Sequence, residues 1–336
     1  MIYPEFLKKN DTIGITAPSD GITDPIKLHR LDNAIFKFNK HGFKIRETSN
    51  VRSSEKGKSS SSPIQAMELK QLYEDETVKA IICAGGGDFL LEMLPFINFD
   101  KIKQSPKWIQ GFSDPTGLLF TITTNLDIAT IYSDNICSFG MKDWHLSLKN
   151  NLEILKGNLL KQNSFDKFQK EYMKYITGEE NYNLDTDVYW KITNQKEITI
   201  EGRIIGGCID ILSDLFGTRF DKTIEFINKY KNDGIIWYFD NAEMSSEQIR
   251  RTLWKFKENG WFEHTNCILF SRTPEEKSYY AIAYEEAIKE SLGDLGIPII
   301  INTDIGHVAP RLTIINGAIA HIHSVNGTGE ISFELH

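Results

Sequence analysis

The chain has 336 residues, enough for two domains with cores of their own. Its 38 basic and 46 acidic side chains leave a formal charge of −8, which excludes a generally basic nucleic-acid binder. Hydrophobic residues at 40% and charged residues at 25% exclude a disordered chain, and no apolar run approaches the ~18–20 residues that span a bilayer.

The opening "MIYPEFLKKNDTIGITAPSD" has no basic stretch leading into a long apolar one, as a secretory signal would, so the expected location is the cytoplasm. "DTIGITAPS" then reads as a short strand and "IKLHRLDNAIFKFNKHG" as a helix stopping at Gly42. "FKIRETS" is strand-like, and "NVRSSEKGKSSSSPIQ" is a polar loop. "MELKQLYEDE" is helical, "VKAIICAGGG" a buried strand and "DFLLEMLPFI" helical. "KWIQGF", "PTGLLFTITTNL" and "IATIYSDN" follow as strand, helix and strand. This alternation predicts a parallel sheet with helices on both faces, whose ligand sites lie beyond the carboxyl ends of the strands.

Residues 142–194 break the rhythm and read as a connecting helix and an extended crossover. Domain boundaries are therefore expected at 1–141, 142–194 and 195–336. In the last part, "KEITIEGRIIGGCIDILSDLFGT" reads as strand, glycine turn and helix, and "DGIIWYFDNAEMSSEQIRRTLWKFKENGWF" as strand, turn and amphipathic helix. "NCILFSR", "PIIINTDIGH", "LTIINGAIAHIHS" and "ISFELH" add strands with antiparallel character towards the end, and "YEEAIKESLGDLG" adds a helix.

Several residues bear chemistry. Gly85, Gly86 and Gly87 stand between a strand and a helix, where bare main chain approaches an anion, yet the dinucleotide and P-loop patterns both fail. The plain alternative is a tight turn. In "GFSDPTG", Ser113 sits where a nucleophile elbow would put it, but the closing glycine of G-x-S-x-G is missing. A cap of the Pro-started helix explains the same residues, and Asp114 can perform it, leaving the Ser113 hydroxyl for other work. Ser133-Asp134 repeats the dipeptide after another strand.

His307 lies in a loop after a strand, and either Asp240 or Glu243 can orient an imidazole. His321 and His323 share a strand face without a carboxylate or cysteine set to complete a metal site. Cys83, Cys137, Cys208 and Cys267 form no CxxC pair. Neither a metal nor a cofactor is expected.

In order, "ITAPSD", "ICAGGGDFLLEMLPFINFD", "IQGFSDPTGL", "EGRIIGGCIDILSDLFGT", "IIWYFDNAEMSSEQIRRTLWKFKENGWF" and "IGHVAPRLTIINGA" resemble the LD-carboxypeptidase family of serine peptidases, which includes the microcin C self-immunity peptidases. The resemblance implies a flavodoxin-like parallel-sheet domain with the nucleophile and a smaller, mixed α/β C-terminal domain with the acid and histidine. The active site would form between the two. It implies Ser113 as nucleophile, His307 as base and an acid at the end of "GIIWYFD". The family usually has glutamate there and this chain has Asp240, with Glu243 as the alternative.

Backbone N–H groups of Asp114, Gly86 and Gly87 would then form the oxyanion hole. The implied substrate is a small peptide, a cytoplasmic murein tetrapeptide losing its terminal D-Ala in peptidoglycan recycling. No nucleic acid or membrane partner is expected, and the resemblance implies a homodimer. Two other functions are open: a microcin-type immunity peptidase acting on an aminoacyl or peptidyl nucleotide, and an inactive wall-peptide-binding homologue. For the immunity peptidase, Trp190 in "DVYWKITN" is the candidate platform for the base, its plain alternative being packing.

Overall fold

A computed structural model describes residues 1–193 and 195–336. The chain divides into two compact units. One comprises Met1–Leu160, Met173–Asn183 and Leu312–Gly317, and the other Lys161–Tyr172, Leu184–Arg311 and Ala318–His336. The expected linker end at residue 194 lies outside the described residues.

The first unit runs β1 (Thr12–Thr16), α1 (Pro25–Lys40), β2 (Lys44–Glu47), α2 (Ser62–Glu74), β3 (Val78–Cys83), α3 (Phe99–Gln104), β4 (Trp108–Gly111), α4 (Thr116–Leu126), β5 (Thr130–Tyr132) and α5 (Leu146–Leu155). These strands pair in parallel in the order β5-β4-β3-β1-β2, the flavodoxin-like order expected. A late strand, Ile314–Asn316, adds antiparallel to the outer edge of β5. β1 and β4 are buried along their whole length, as inner strands of a sheet covered on both faces are. α1 starts where Asp24 accepts from the N–H groups of Ile26 and Lys27 at 3.0 and 2.9 Å.

The second unit contains β6 (Gln162–Asn163), β7 (Lys167–Phe168), β8 (Thr186–Asp187), β9 (Lys191–Ile192), β10 (Glu197–Cys208), α6 (Ile209–Leu215), α7 (Thr223–Lys229), β11 (Ile235–Asp240), α8 (Ser246–Glu258), β12 (Thr265–Ser271), α9 (Tyr284–Leu292) and β13 (Ile299–Thr303). After β14, the Ile314–Asn316 strand already placed, come β15 (Ile319–Val325) and β16 (Thr328–Glu334). The sheet order is β6-β16-β15-β10-β11-β12-β13-β9, parallel from β10 to β13 and antiparallel on both flanks. β7 and β8 pair as a separate ribbon.

The buried aromatics of this unit hold the strand that ends in Asp240. Trp237 of β11 stacks on Trp261 with ring centres 5.4 Å apart, and Trp261 stacks on Phe256 of α8 at 4.0 Å. Each such ring, removed from water, contributes about 1.5–3 kcal/mol. α8 is fixed at its start by a capping box between Ser245 and Gln248.

Two local expectations change. "DFLLEMLPFI" contains a 3-10 helix over Leu90–Phe96 rather than an α-helix, with Pro95 inside it removing an N–H from any α-ladder. The glycines of "RIIGGC" lie within β10, not in a turn: a Cβ on Gly206 would fall 1.9 Å from the Tyr238 carbonyl oxygen. They let β10 press against β11.

Candidate active site

In the first unit three loops converge beyond the carboxyl ends of β1, β3 and β4. Ser113, two residues past β4, has φ +70, a left-handed conformation that costs a non-glycine residue about 1–3 kcal/mol and recurs at functional turns. The turn is pinned through its main chain. Phe112 N–H donates to Asn135 Oδ1 at 3.2 Å, Ser113 N–H to the Tyr132 hydroxyl at 3.4 Å, and Thr116 N–H to the Ser113 carbonyl at 2.9 Å. The Tyr132 ring also packs edge-on against Phe112.

The glycine turn passes directly over this serine. A Cβ on Gly86 would stand 2.9 Å from Ser113 Oγ, 3.0 Å from Ser113 Cβ and 3.8 Å from Asp114 N. The Gly86 carbonyl accepts from Asp20 N–H at 3.3 Å, and a Cβ on Gly87 would meet Ser19 Oγ at 2.3 Å. The glycines here serve close approach, whatever ligand they meet.

Asp114 does not cap α4. Its fully buried carboxylate turns away, accepting from Ser19 Oγ in a short hydrogen bond and from Leu90 N–H at 3.0 Å. The first amides of the helix are met instead by main-chain carbonyls, Gly117 N–H donating to Asp114 O at 3.0 Å. The helix starts at Thr116 with Pro115 at its N-cap, so Asp114 stands one residue before the capping position. Burial holds the Asp114 carboxyl above its ordinary range, against the opposing pull of the Ser19 and Leu90 bonds.

In the second unit Asp240 ends β11 and is wholly buried. Its Oδ2 lies 2.7 Å from His307 Nδ1, and its Oδ1 accepts from His307 N–H at 3.1 Å. The His307 side chain is 12% exposed, with Nε2 on the ring edge opposite the acid. Glu243 is exposed on the loop beyond, so Asp240 is the carboxylate bonded to His307.

That loop is tied by a carboxylate which sequence reasoning missed. Asp210, in the first turn of α6, accepts from Ala242 N–H at 3.0 Å and Glu243 N–H at 3.1 Å. Its only signal was an acidic residue at a helix start. Cys208, paired with Asp240 across the strands, is buried, and its thiol is pushed well above the ordinary value by burial and then by Asp210 and Asp240. It is a protonated packing group, not a nucleophile.

Trp190 takes the packing role. It is 1% exposed, and its indole N–H donates to Asp304 Oδ2 at 2.8 Å. Asp304, three residues before His307, also pairs with Arg272 at 2.7 Å. Burial raises the Asp304 carboxyl, while Arg272 and Trp190 draw it back down. Trp190 thus braces the base of the histidine loop and offers no open ring face.

A cleft of about 590 Å³ opens beside that loop, with Phe168, Lys170, Tyr189, Arg272, Tyr284 and Val308 in its lining. His321 and His323 project from β15 towards Glu201, Glu334 and Thr199. Among the described residues no group of three or more His, Cys, Asp or Glu side chains is arranged to hold a metal, and no helix is long and apolar enough to cross a membrane.

One α/β unit thus carries a serine at a strained strand-to-helix turn, and the other a histidine held by a buried carboxylate. The chain belongs to the LD-carboxypeptidase family: the model of that family's N-terminal domain matches residues 13–133 and that of its C-terminal domain residues 201–322. It is 24% identical to the "Probable murein peptide carboxypeptidase" of Bacillus subtilis, over 98% of this chain and 93% of the relative. It is 25% identical to the microcin C7 self-immunity protein MccF of Escherichia coli, over 92% of this chain and 89% of that protein.

Among solved structures, MccF in complex with aspartyl sulfamoyl adenosine superposes with a TM-score of 0.84 at 22% identity, covering 100% of this chain and 99% of the other. An MccF-like protein from Bacillus anthracis gives 0.82 at 23% identity, with 100% of both chains covered. At these identities the structural likeness shows the fold.

Proposed function

We propose that this protein is a serine peptidase of LD-carboxypeptidase type, which removes the terminal D-Ala from cytoplasmic murein tetrapeptides through Ser113, His307 and Asp240. The observation that carries the reading is the 2.7 Å contact between Asp240 Oδ2 and His307 Nδ1. A carboxylate on Nδ1 fixes the tautomer in which Nε2 accepts a proton, as a general base requires.

His307 Nε2 takes the Ser113 proton as Oγ attacks the carbonyl carbon of the bond preceding D-Ala. The oxyanion is received by the backbone N–H of Asp114 and those of the Gly86-Gly87 turn. Collapse breaks the C–N bond, and His307 returns the proton to the departing D-Ala amine. Water, deprotonated by His307, then attacks the acyl carbon, and His307 passes that proton to Ser113 Oγ as the acyl–oxygen bond breaks. The left-handed Ser113 and the Gly86 main chain passing over it support this assignment.

An immunity peptidase would use the same chemistry on a nucleotide-bearing substrate. The burial of Trp190 leaves no open ring for the base platform expected there, which supports the wall-peptide reading.

The test incubates the protein with a murein tetrapeptide and, separately, with an aminoacyl sulfamoyl nucleoside, following released D-Ala or amino acid by mass spectrometry. D-Ala release that falls at least about 10³-fold in Ser113→Ala is expected. Release unchanged in Ser113→Ala rules out the serine mechanism. Faster cleavage of the nucleoside substrate transfers the protein to the immunity class. Absence of both activities, with no fluorophosphonate labelling of Ser113, leaves the inactive peptide-binding homologue.

A further inference from the structure

The main chain of the His307 loop rests against the carboxylate that orients the ring. Gly306 has φ +80, and a Cβ there would fall 1.8 Å from Asp240 Cγ and 2.0 and 2.2 Å from its two oxygens. No other residue fits that contact, both by volume and by backbone conformation. The loop is also barred from retreating, because the Gly306 carbonyl accepts from Arg311 Nε in a short hydrogen bond and Arg311 is itself buried.

From the other side Ser271, the last residue of β12, reaches the same acid. Its Oγ lies 3.2 Å from Asp240 Oδ1 and 3.0 Å from the Arg272 carbonyl, and it accepts from Asn241 N–H at 3.2 Å. Of the two acceptors for its single proton, the carboxylate is the charged and stronger one. Asp240 is therefore bonded by the backbone and ring of one residue, His307, and by the hydroxyl of another, with Gly306 packed against its carboxyl carbon.

We propose that Gly306 and Ser271 are positioning residues for the Asp240–His307 pair, holding its carboxylate from two sides. A glutamate at 240 would carry its carboxylate about 1.5 Å, one carbon–carbon bond length, from the place where Ser271 and the His307 N–H meet it. It would displace the histidine instead of holding it. The activity arm of the test rests on the proposed peptidase reading, whereas the spectroscopic arm does not.

Nitrogen-15 labelling of the histidines reads the pair without substrate, as a proton on His307 Nδ1 shifted far downfield and protected from exchange. Asp240→Glu and Gly306→Ala are expected to lose that resonance and Ser271→Ala to broaden it. Ser271→Thr, which keeps the hydroxyl, should restore it. With the tetrapeptide, Asp240→Glu should lower kcat about 10²-fold, the scale of an ångström-level misplacement. Ser271→Ala should lower it about 10-fold with KM within about twofold, the split expected for an effect on the chemical step alone.

A merely structural role would lower the melting temperature while leaving the resonance, and the kcat of the folded fraction, unchanged. Asp240→Glu with a wild-type resonance, or Ser271→Ala indistinguishable from Ser271→Thr, overturns the proposal. If Gly306→Ala does not fold, the Ser271 pair decides. If the resonances change as expected but no form, wild type included, cleaves the tetrapeptide, the positioning stands and the substrate reading falls.

Discussion

Ser113, the proposed nucleophile, is placed by a left-handed φ, by amide groups that donate to Asn135 Oδ1 and the Tyr132 hydroxyl, and by a glycine passing over it. His307, the proposed base, is placed through one buried acid, Asp240, which Ser271 holds in turn, and by Asp304 with Arg272 and Trp190 at the base of its loop. The difference predicts how each fails. A serine with main chain passing so close is sensitive to any atom added beside it. A histidine held through one buried acid is undone by deleting one hydrogen-bonding atom, even one that never approaches substrate.

The largest effect that would break this contrast lies in the glycine turn. Gly86→Ala puts a methyl within 3.0 Å of Ser113, and kcat should fall about 10²-fold. Gly85→Ala, with nothing within 4 Å of its Cβ, should leave turnover unchanged. Equal losses in steady-state assays of the two variants would mean that the turn acts through flexibility and not through contact.

Trp190→Phe probes the second unit. It keeps a ring and removes the N–H on buried Asp304, and urea unfolding should register a loss of about 1–3 kcal/mol. A folded sample should keep most of its turnover, since Arg272 still pairs with Asp304. Turnover falling with stability unchanged would place Trp190 at the substrate.

The smallest effect concerns Asp114 and pH. Burial raises its carboxyl in the folded chain, so the folded state holds that proton more tightly than the unfolded one does. The resulting stability is present below the unfolded value of about 3.9 and is lost as pH rises through the folded value. Asp114→Asn removes the titration. Its melting temperature relative to wild type should rise with pH over the acidic range and then level off, as measured by calorimetry from about pH 3 to about pH 8. A difference that shrinks with pH would mean that the Ser19 and Leu90 bonds outweigh burial.

Much of the first unit was legible because its strands are short buried runs punctuated by Gly, Pro and Ser, and each helix follows its strand closely. The elbow was legible as a place but not as a conformation. Nothing in "GFSDPTG" distinguishes a helix cap from a left-handed serine, since Asp114 finds its partners in Ser19 and Leu90, far along the chain. Residues 162–192 hid their strands for a related reason. β6 and β9 are two residues long and exist only by pairing with β16 and β13. Asp240 and His307 were visible as a carboxylate at a strand end and a histidine in a loop. Ser271 and Gly306 were not, because their roles depend on contacts between strand ends distant in sequence.

β14 has a consequence for how the molecule is made. The strand that completes the nucleophile-bearing sheet is Ile314–Asn316, reached only after almost all of the other unit has been translated. Until then the outer edge of β5 is an open template for any extended segment. A ribosome stalled before that point releases a half-enzyme with an unprotected border, so truncation products should be poorly soluble even when they contain every residue of the serine turn.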